Sequence, residues 1–256
     1  MKNNNETKTD FLMARISQNE NNQTVDINKW AFEKIKSNSE KINILELCCG
    51  TGKQTDYLVQ LFPNAKISCL DISIDAITTV KNKFQSHSAR MNFYNMGIDG
   101  FFKENEEKFD IIFCSYGLYY SKDIDYVLFQ INELLNNGGK LVVMGPYGDN
   151  NKQLFDILLD LRITIPDLVL SSSSTFMREK VLSFSINHFN AIHLYTTQNN
   201  IIWENVESVM NYWKNSTFYD SSIEQEFQKI VETKINLKGN FINEKKIMLI
   251  EAIKNA

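Results

Sequence analysis

Through about residue 145, short β-branched or apolar runs alternate with helical patterns, and this alternation limits the possible folds more than any other feature. The runs are Asn43 to Leu47, Lys66 to Leu70, Met91 to Asn95, Asp110 to Cys114 and Lys140 to Met144. Before the last of them, Ile124, Val127, Leu128, Ile131, Leu134 and Leu135 make one apolar stripe at helical spacing. Asp123 opens the stripe and Asn137, Gly138 and Gly139 stop it. Parallel strands need a crossover between neighbours, so strands alternating with helices predict an open α/β sheet covered on both faces.

Beyond Gly148 the pattern changes. The spacing predicts helices over Lys152 to Arg162, Asn205 to Trp213 and Ser222 to Thr233, an irregular Ser171 to Thr175, and strands at Ala191 to Thr196 and Lys246 to Ile253. No repeat and no long linker interrupts the chain, so the second half reads as a completion of the same sheet within one domain.

Charge and cysteine usage exclude several classes. Lys and Arg number 27 against 31 Asp and Glu, a net charge of −4, and no basic stripe offers the footprint a nucleic acid requires. Cys48, Cys49, Cys69 and Cys114 lie in or beside predicted strands without metal-ligand spacing, which predicts free buried thiols in a reducing compartment and no metal. Met1 to Asp10 lacks the apolar stretch of a signal peptide, and no apolar run approaches the roughly 20 residues that span a bilayer. A cytoplasmic protein without a membrane partner is the expectation; the oligomeric state stays open.

The segment richest in chemistry is Ile44-Leu45-Glu46-Leu47-Cys48-Cys49-Gly50-Thr51-Gly52-Lys53-Gln54-Thr55, an apolar strand running through a glycine turn into a helix. Glycine lacks a Cβ and admits positive φ, so such a junction brings bare backbone to whatever sits above the strand ends. The dinucleotide fingerprint fails because Thr55 stands where its third glycine belongs. The phosphate loop fails at Leu47 and Gln54.

What remains, an acidic residue followed by Gly-Thr-Gly, resembles the first motif of the class I S-adenosylmethionine-dependent methyltransferases of the small-molecule type. Glu46, Gly50 and Gly52 match, while Cys48 replaces the motif's first glycine. Three further segments fit in order. Asp71, followed by Ile72, ends the second strand, where a carboxylate can accept from both ribose hydroxyls; Ser73 or Asp75 could share the cap of the next helix. Ile98-Asp99-Gly100-Phe101 follows the third strand, where the resemblance implies that Asp99 accepts from the adenine amino group and that Ile98 or Phe101 packs on the ring. Cys114-Ser115-Tyr116 ends the fourth strand. With Thr51 and Thr55 these make up the expected S-adenosylmethionine site. The resemblance covers about residues 41 to 145. It implies a doubly wound, Rossmann-like, seven-stranded sheet of order 3-2-1-4-5-7-6 with the seventh strand antiparallel. It also implies a helical lid segment over residues 1–40, a cofactor core over 41–148, and substrate-binding insertions within 149–256.

Methyl transfer from a sulfonium is an in-line displacement, for which the protein mainly aligns two reactants and excludes water. No general base stands out. Tyr119 and Tyr120 can face the sulfonium or orient an acceptor, and His188 and His193 are the imidazoles near the predicted sixth strand. The Pro-Pro-aromatic run of base and glutamine methylases is absent from Ser115-Tyr116-Gly117-Leu118. Trp203, Tyr212, Trp213, Phe218 and Tyr219 would line a pocket for a small organic acceptor, unless they are simply core. The expected activity is methylation of O or N of a small metabolite. The alternatives are a protein methyltransferase and a non-catalytic S-adenosylmethionine-binding partner subunit.

Overall fold

A computed structural model describes residues 9–36 and 40–255. Most of the Asn-rich stretch read above for a signal, residues 1–8, lies outside them. The strands are β1 (Asn43–Leu47), β2 (Lys66–Asp71), β3 (Met91–Asn95), β4 (Phe109–Ser115), β5 (Leu135–Pro146), β6 (Ala191–Trp203) and β7 (Phe241–Ile253). They form one sheet in the order β3-β2-β1-β4-β5-β7-β6, as the resemblance implies. The first four pairings, β1 with β2 and β4, β2 with β3, and β4 with β5, are all parallel. The amide of Gly138 donates to Asn255 O while that of Tyr147 donates to Lys246 O, so β7 runs antiparallel to β5. Buried residues fill β1, β2 and β4, as in a sheet covered on both faces.

The helices are α1 (Thr9–Asn22), α2 (Ile27–Phe32), α3 (Lys53–Leu61), α4 (Ile74–Lys83), α5 (Ile98–Glu104), α6 (Ile124–Leu134), α7 (Lys152–Asp160), α8 (Asp167–Ser174), α9 (Ser183–His188), α10 (Val206–Lys214) and α11 (Glu224–Lys238). The strands expected at Lys140 to Met144, Ala191 to Thr196 and Lys246 to Ile253 are longer than their apolar runs, and two segments change character. The stripe of α6 ends a residue early, because Leu135 turns extended and pairs with Phe109 at the start of β4. The serine run, expected to be irregular, is helical in α8: Ser171, Ser172 and Ser174 satisfy their hydroxyls on carbonyls three or four residues back. A π-helical turn, Met177–Leu182, precedes α9.

The chain forms two compact units. One comprises Asn28–Gly145, Phe176–Thr196 and the described residues from Met248. It holds the parallel strands and the glycine turn. The other comprises the described residues through Ile27, Pro146–Thr175 and Thr197–Ile247. Its core is aromatic: Trp213 stacks on Phe227 at 3.7 Å between ring centroids, and Trp203 lies 5.1 Å from Tyr212. Trp203 and Trp213 are fully buried and Tyr212 and Phe218 nearly so, so these rings are core and do not line an open pocket. No described helix is long and apolar enough to cross a membrane.

Candidate functional site

β1 lies between β2 and β4, and its last residue, Leu47, is level with Leu70 on one side and Cys114 on the other. The next five residues carry three left-handed conformations, Cys48 (φ 55°), Gly50 (φ 54°) and Gly52 (φ 78°). The two glycines serve different ends. A Cβ at Gly52 would sit 2.8 Å from Phe84 and 3.1 Å from Val80, so this glycine lets α3 close onto α4. A Cβ at Gly50 would meet nothing within 4 Å, which leaves the backbone above β1 open.

Asp71 holds that backbone in place. Its Oδ2 accepts from the Gly50 amide and its Oδ1 from the Ser73 amide, each at 2.9 Å. Helix α4 takes its cap from Ser73, whose Oγ accepts from Ala76 N at 3.3 Å, so Asp71 is not the helix cap. Each Asp71 oxygen keeps a lone pair for a further donor. Beside it, Ile72 is 68% exposed, an apolar side chain left uncovered next to a half-buried carboxylate.

β4 closes the other side. Tyr116 is left-handed (φ 55°), and its amide donates to Met144 O at 2.9 Å. At Gly117 a Cβ would lie 2.5 Å from Cys48 Cβ, 2.6 Å from Cys48 Sγ and 3.1 Å from Cys114 Sγ. The two loops touch there with no room for a side chain. Gly117 was not among the expected site residues although it stands two residues past the strand end. Ser115 Oγ, at the end of β4, is buried without a hydrogen-bond partner. Tyr119 and Tyr120 follow as a ring pair, centroids 4.7 Å apart, and Tyr119 also meets Phe176 edge-on at 5.8 Å.

Several of the predicted site residues already have partners within the protein. Glu46 is 1% exposed beneath the turn, where Thr55, itself fully buried, donates to its Oε2 at 2.6 Å and Cys69 Sγ lies 3.8 Å away. Burial pushes the Glu46 carboxyl up to about 8 against the pull of those two hydrogen bonds, so it is a neutral acid at neutral pH and holds the loop from below. Phe101 is 2% exposed and packs edge-on against Tyr94 and Phe102, and Ile98 is likewise buried. Asp99 accepts from Ser121 Oγ at 2.8 Å and from the Lys122 and Asp123 amides, each at 3.2 Å. Partial burial would raise this carboxyl, but those donors outweigh it and hold it below the usual range. Asp99 therefore pins the loop ahead of α6, with Gly100 in the same helical turn of α5.

Neither histidine is at the strand ends that hold the glycine turn. His193 Nδ1 bonds Glu251 at 2.7 Å, and Glu251 also pairs with Lys140 at 2.8 Å. Lys140 is level with Ile111, about 13 Å along β4 from Ser115 at 3.3 Å per residue. His188 stacks on Phe184 at 4.0 Å and bonds Phe184 O at the exposed end of α9. Cys114 beside it, then burial, push the Cys48 thiol well up, and Cys49 is raised in the same way by Cys69 and by burial.

An open glycine backbone, a carboxylate with spare lone pairs beside an exposed apolar residue, and an orphaned serine hydroxyl together fit a nucleoside lying across the ends of β1, β2 and β4. The model of a methyltransferase domain matches residues 44–139. The chain carries a class I S-adenosylmethionine-dependent methyltransferase domain. Two relatives are the malonyl-[acyl-carrier protein] O-methyltransferases 2 and 1 of Ilyobacter polytropus. The first is 28% identical over 182 residues, covering 70% of this chain and 66% of its own length; the second is 31% identical over 137 residues, 54% of this chain and 49% of its own. The chain thus spans less than two thirds of the relatives it matches. The chain is similar in fold to phosphoethanolamine N-methyltransferase 2 of Haemonchus contortus, solved with S-adenosylhomocysteine (TM-score 0.57, 12% identity, 97% of this chain and 58% of that one).

Proposed function

We propose that this chain transfers a methyl group from S-adenosylmethionine to an oxygen of a small acyl acid, free or carried on a protein. The observation that carries the cofactor side is the Gly50–Asp71 pairing. One carboxylate fixes the turn with one lone pair on each oxygen and keeps the other pair for two ribose hydroxyls. Gly50 supplies the open backbone, Ser115 Oγ a hydrogen-bonding group for the ligand, and Ile72 an apolar face for the base.

When bound, the cofactor supplies an electrophilic methyl on a positively charged sulfur. What the residues after β4 add is alignment and exclusion of water, and the Tyr119–Tyr120 pair offers ring faces to a cation and hydroxyls to an acceptor. A carboxylate acceptor is already ionised at neutral pH, so alignment alone suffices for it. An amine or alcohol would also have to lose a proton. Both malonyl-carrier relatives are named O-methyltransferases, which supports oxygen over nitrogen.

Calorimetric titration with S-adenosylhomocysteine tests the cofactor half, and absence of binding overturns it. Mass spectrometry of short dicarboxylic monothioesters incubated with the protein and S-adenosylmethionine tests the acceptor half. The expected product is a methyl ester that mild base hydrolyses; an alkali-stable methylamine from an amine panel, with no ester, overturns it.

A further inference from the structure

The four cysteines have no metal-ligand spacing in the sequence, yet they meet as two thiol pairs around the glycine turn. Cys48, which opens the turn, is hydrogen-bonded to Cys114 of β4, and Cys49 is hydrogen-bonded to Cys69 of β2. The second pair is sealed: Cys49 and Cys69 are both buried, with Glu46 Oε2 3.8 Å from Cys69 Sγ. The first pair is not. Cys48 is only half-buried, the one cysteine with part of its surface open. Gly117 passes over both sulfurs of this pair and withholds the side chain that would fill the space around them, since a Cβ there would come within 2.6 Å of Cys48 Sγ and 3.1 Å of Cys114 Sγ.

Two neighbouring thiols are a soft donor set. No third ligand joins them, because among the described residues no three His, Cys, Asp or Glu side chains gather as a metal group requires. Zinc takes four ligands, or three and a water, so the pair does not suit it. Calcium and magnesium take oxygen. What fits is a cation satisfied by two sulfurs in a near-linear arrangement, a monovalent d10 ion, of which Cu(I) is the biological example. Its uptake balances without a change of oxidation state. Two S–H bonds break, two sulfur–copper bonds form, both protons pass to solvent, and the product is a bis-thiolate with one net negative charge.

We propose that Cys48 and Cys114 form a two-coordinate Cu(I) site whose occupation opposes binding of the cofactor. Both ligands adjoin groups that serve the nucleoside: Gly50 is two residues past Cys48, and Ser115 follows Cys114 directly. A cation between the sulfurs drives them from S–H···S contact to opposite sides of the metal, and so shifts the turn against the end of β4. The metal site stands on the thiol geometry alone; the antagonism rests on the reading of the chain as a methyltransferase.

The full chain is titrated anaerobically with Cu(I) buffered by bicinchoninate, and X-ray absorption at the copper edge counts the neighbours of the bound ion. Uptake of about one equivalent on two sulfurs is expected, lost in Cys48→Ser and Cys114→Ser and kept in Cys69→Ser. The absorption spectrum needs no variant, so an ion with three or more sulfur neighbours, or with none, overturns the site even where a substitution fails to fold. Absence of uptake, or full uptake by Cys48→Ser, overturns it as well. Calorimetry with S-adenosylhomocysteine on the copper-free and copper-loaded chain reads the antagonism. The loaded chain should bind at least about tenfold more weakly, as loss of a hydrogen bond to the turn implies, and equal affinity overturns this half. A chain that holds Cu(I) on two sulfurs but never binds S-adenosylhomocysteine, loaded or not, would overturn the antagonism together with the methyltransferase reading and leave the metal site standing.

Discussion

The two units use the same alphabet in opposite ways. In the unit with the parallel strands, the site is made of backbone: Gly52 lets α3 close onto α4, Gly117 lets the loop after β4 meet the turn, Gly50 leaves the backbone above β1 open, and Asp71 fixes the result. In the other, stacked rings fill the interior, and its polar centre is assembled from side chains of Asn151, Tyr212, Asn243 and Lys245. A site built from backbone leaves a short, ordered signature in the sequence. A polar cluster built from side chains on separate elements leaves none.

Changes in the two units should therefore fail differently. The largest effect belongs to the aromatic unit: Phe227→Ala removes the ring stacked on Trp213 and should cost about 3–5 kcal/mol of stability. Below its lowered melting temperature the protein should bind cofactor with unchanged stoichiometry, and a lost stoichiometry would break the comparison. Next comes Glu46. The folded chain keeps a proton that an ordinary carboxyl releases above 4.5, so stability should fall as pH rises from there through about 8. Denaturant titrations across that range should show a decline on the order of a few kcal/mol. Glu46→Gln should flatten it, and an unchanged slope would show that another group is responsible.

Smaller effects fall on the glycine turn. Asp71→Ala removes the carboxylate between turn and ligand, and should weaken S-adenosylhomocysteine binding by roughly 1–3 kcal/mol in calorimetry. Wild-type affinity would leave Asp71 as a purely structural brace. Gly50→Ala meets no atom and should cost only the left-handed conformation, roughly 1–2 kcal/mol of melting stability. A much larger loss would mean that the space above Gly50 is already filled.

What could be read in advance follows the same division. Strands β1 to β4 fall within a residue of their predicted ends because their apolar runs are short and bounded by turns. The glycine turn and Asp71 were legible because local spacing fixes them. Leu135 was misplaced because an apolar residue at the end of a helical stripe suits a strand equally well, and only its pairing with Phe109 decides. Asp99 looked free because its donors lie more than twenty residues away, on the loop at Ser121 to Asp123. His193 looked available because Glu251, which engages it, is on another strand.

The contact between Cys48 and Gly117 also has a consequence for descent. Cys48 holds a left-handed backbone that glycine would adopt without strain, and its sulfur occupies the space that a side chain at 117 would need. The two positions share one allowance of volume. Among descendants and cousins of this chain they should change together, a glycine at 48 licensing a small side chain at 117, and a cysteine at 48 forbidding it.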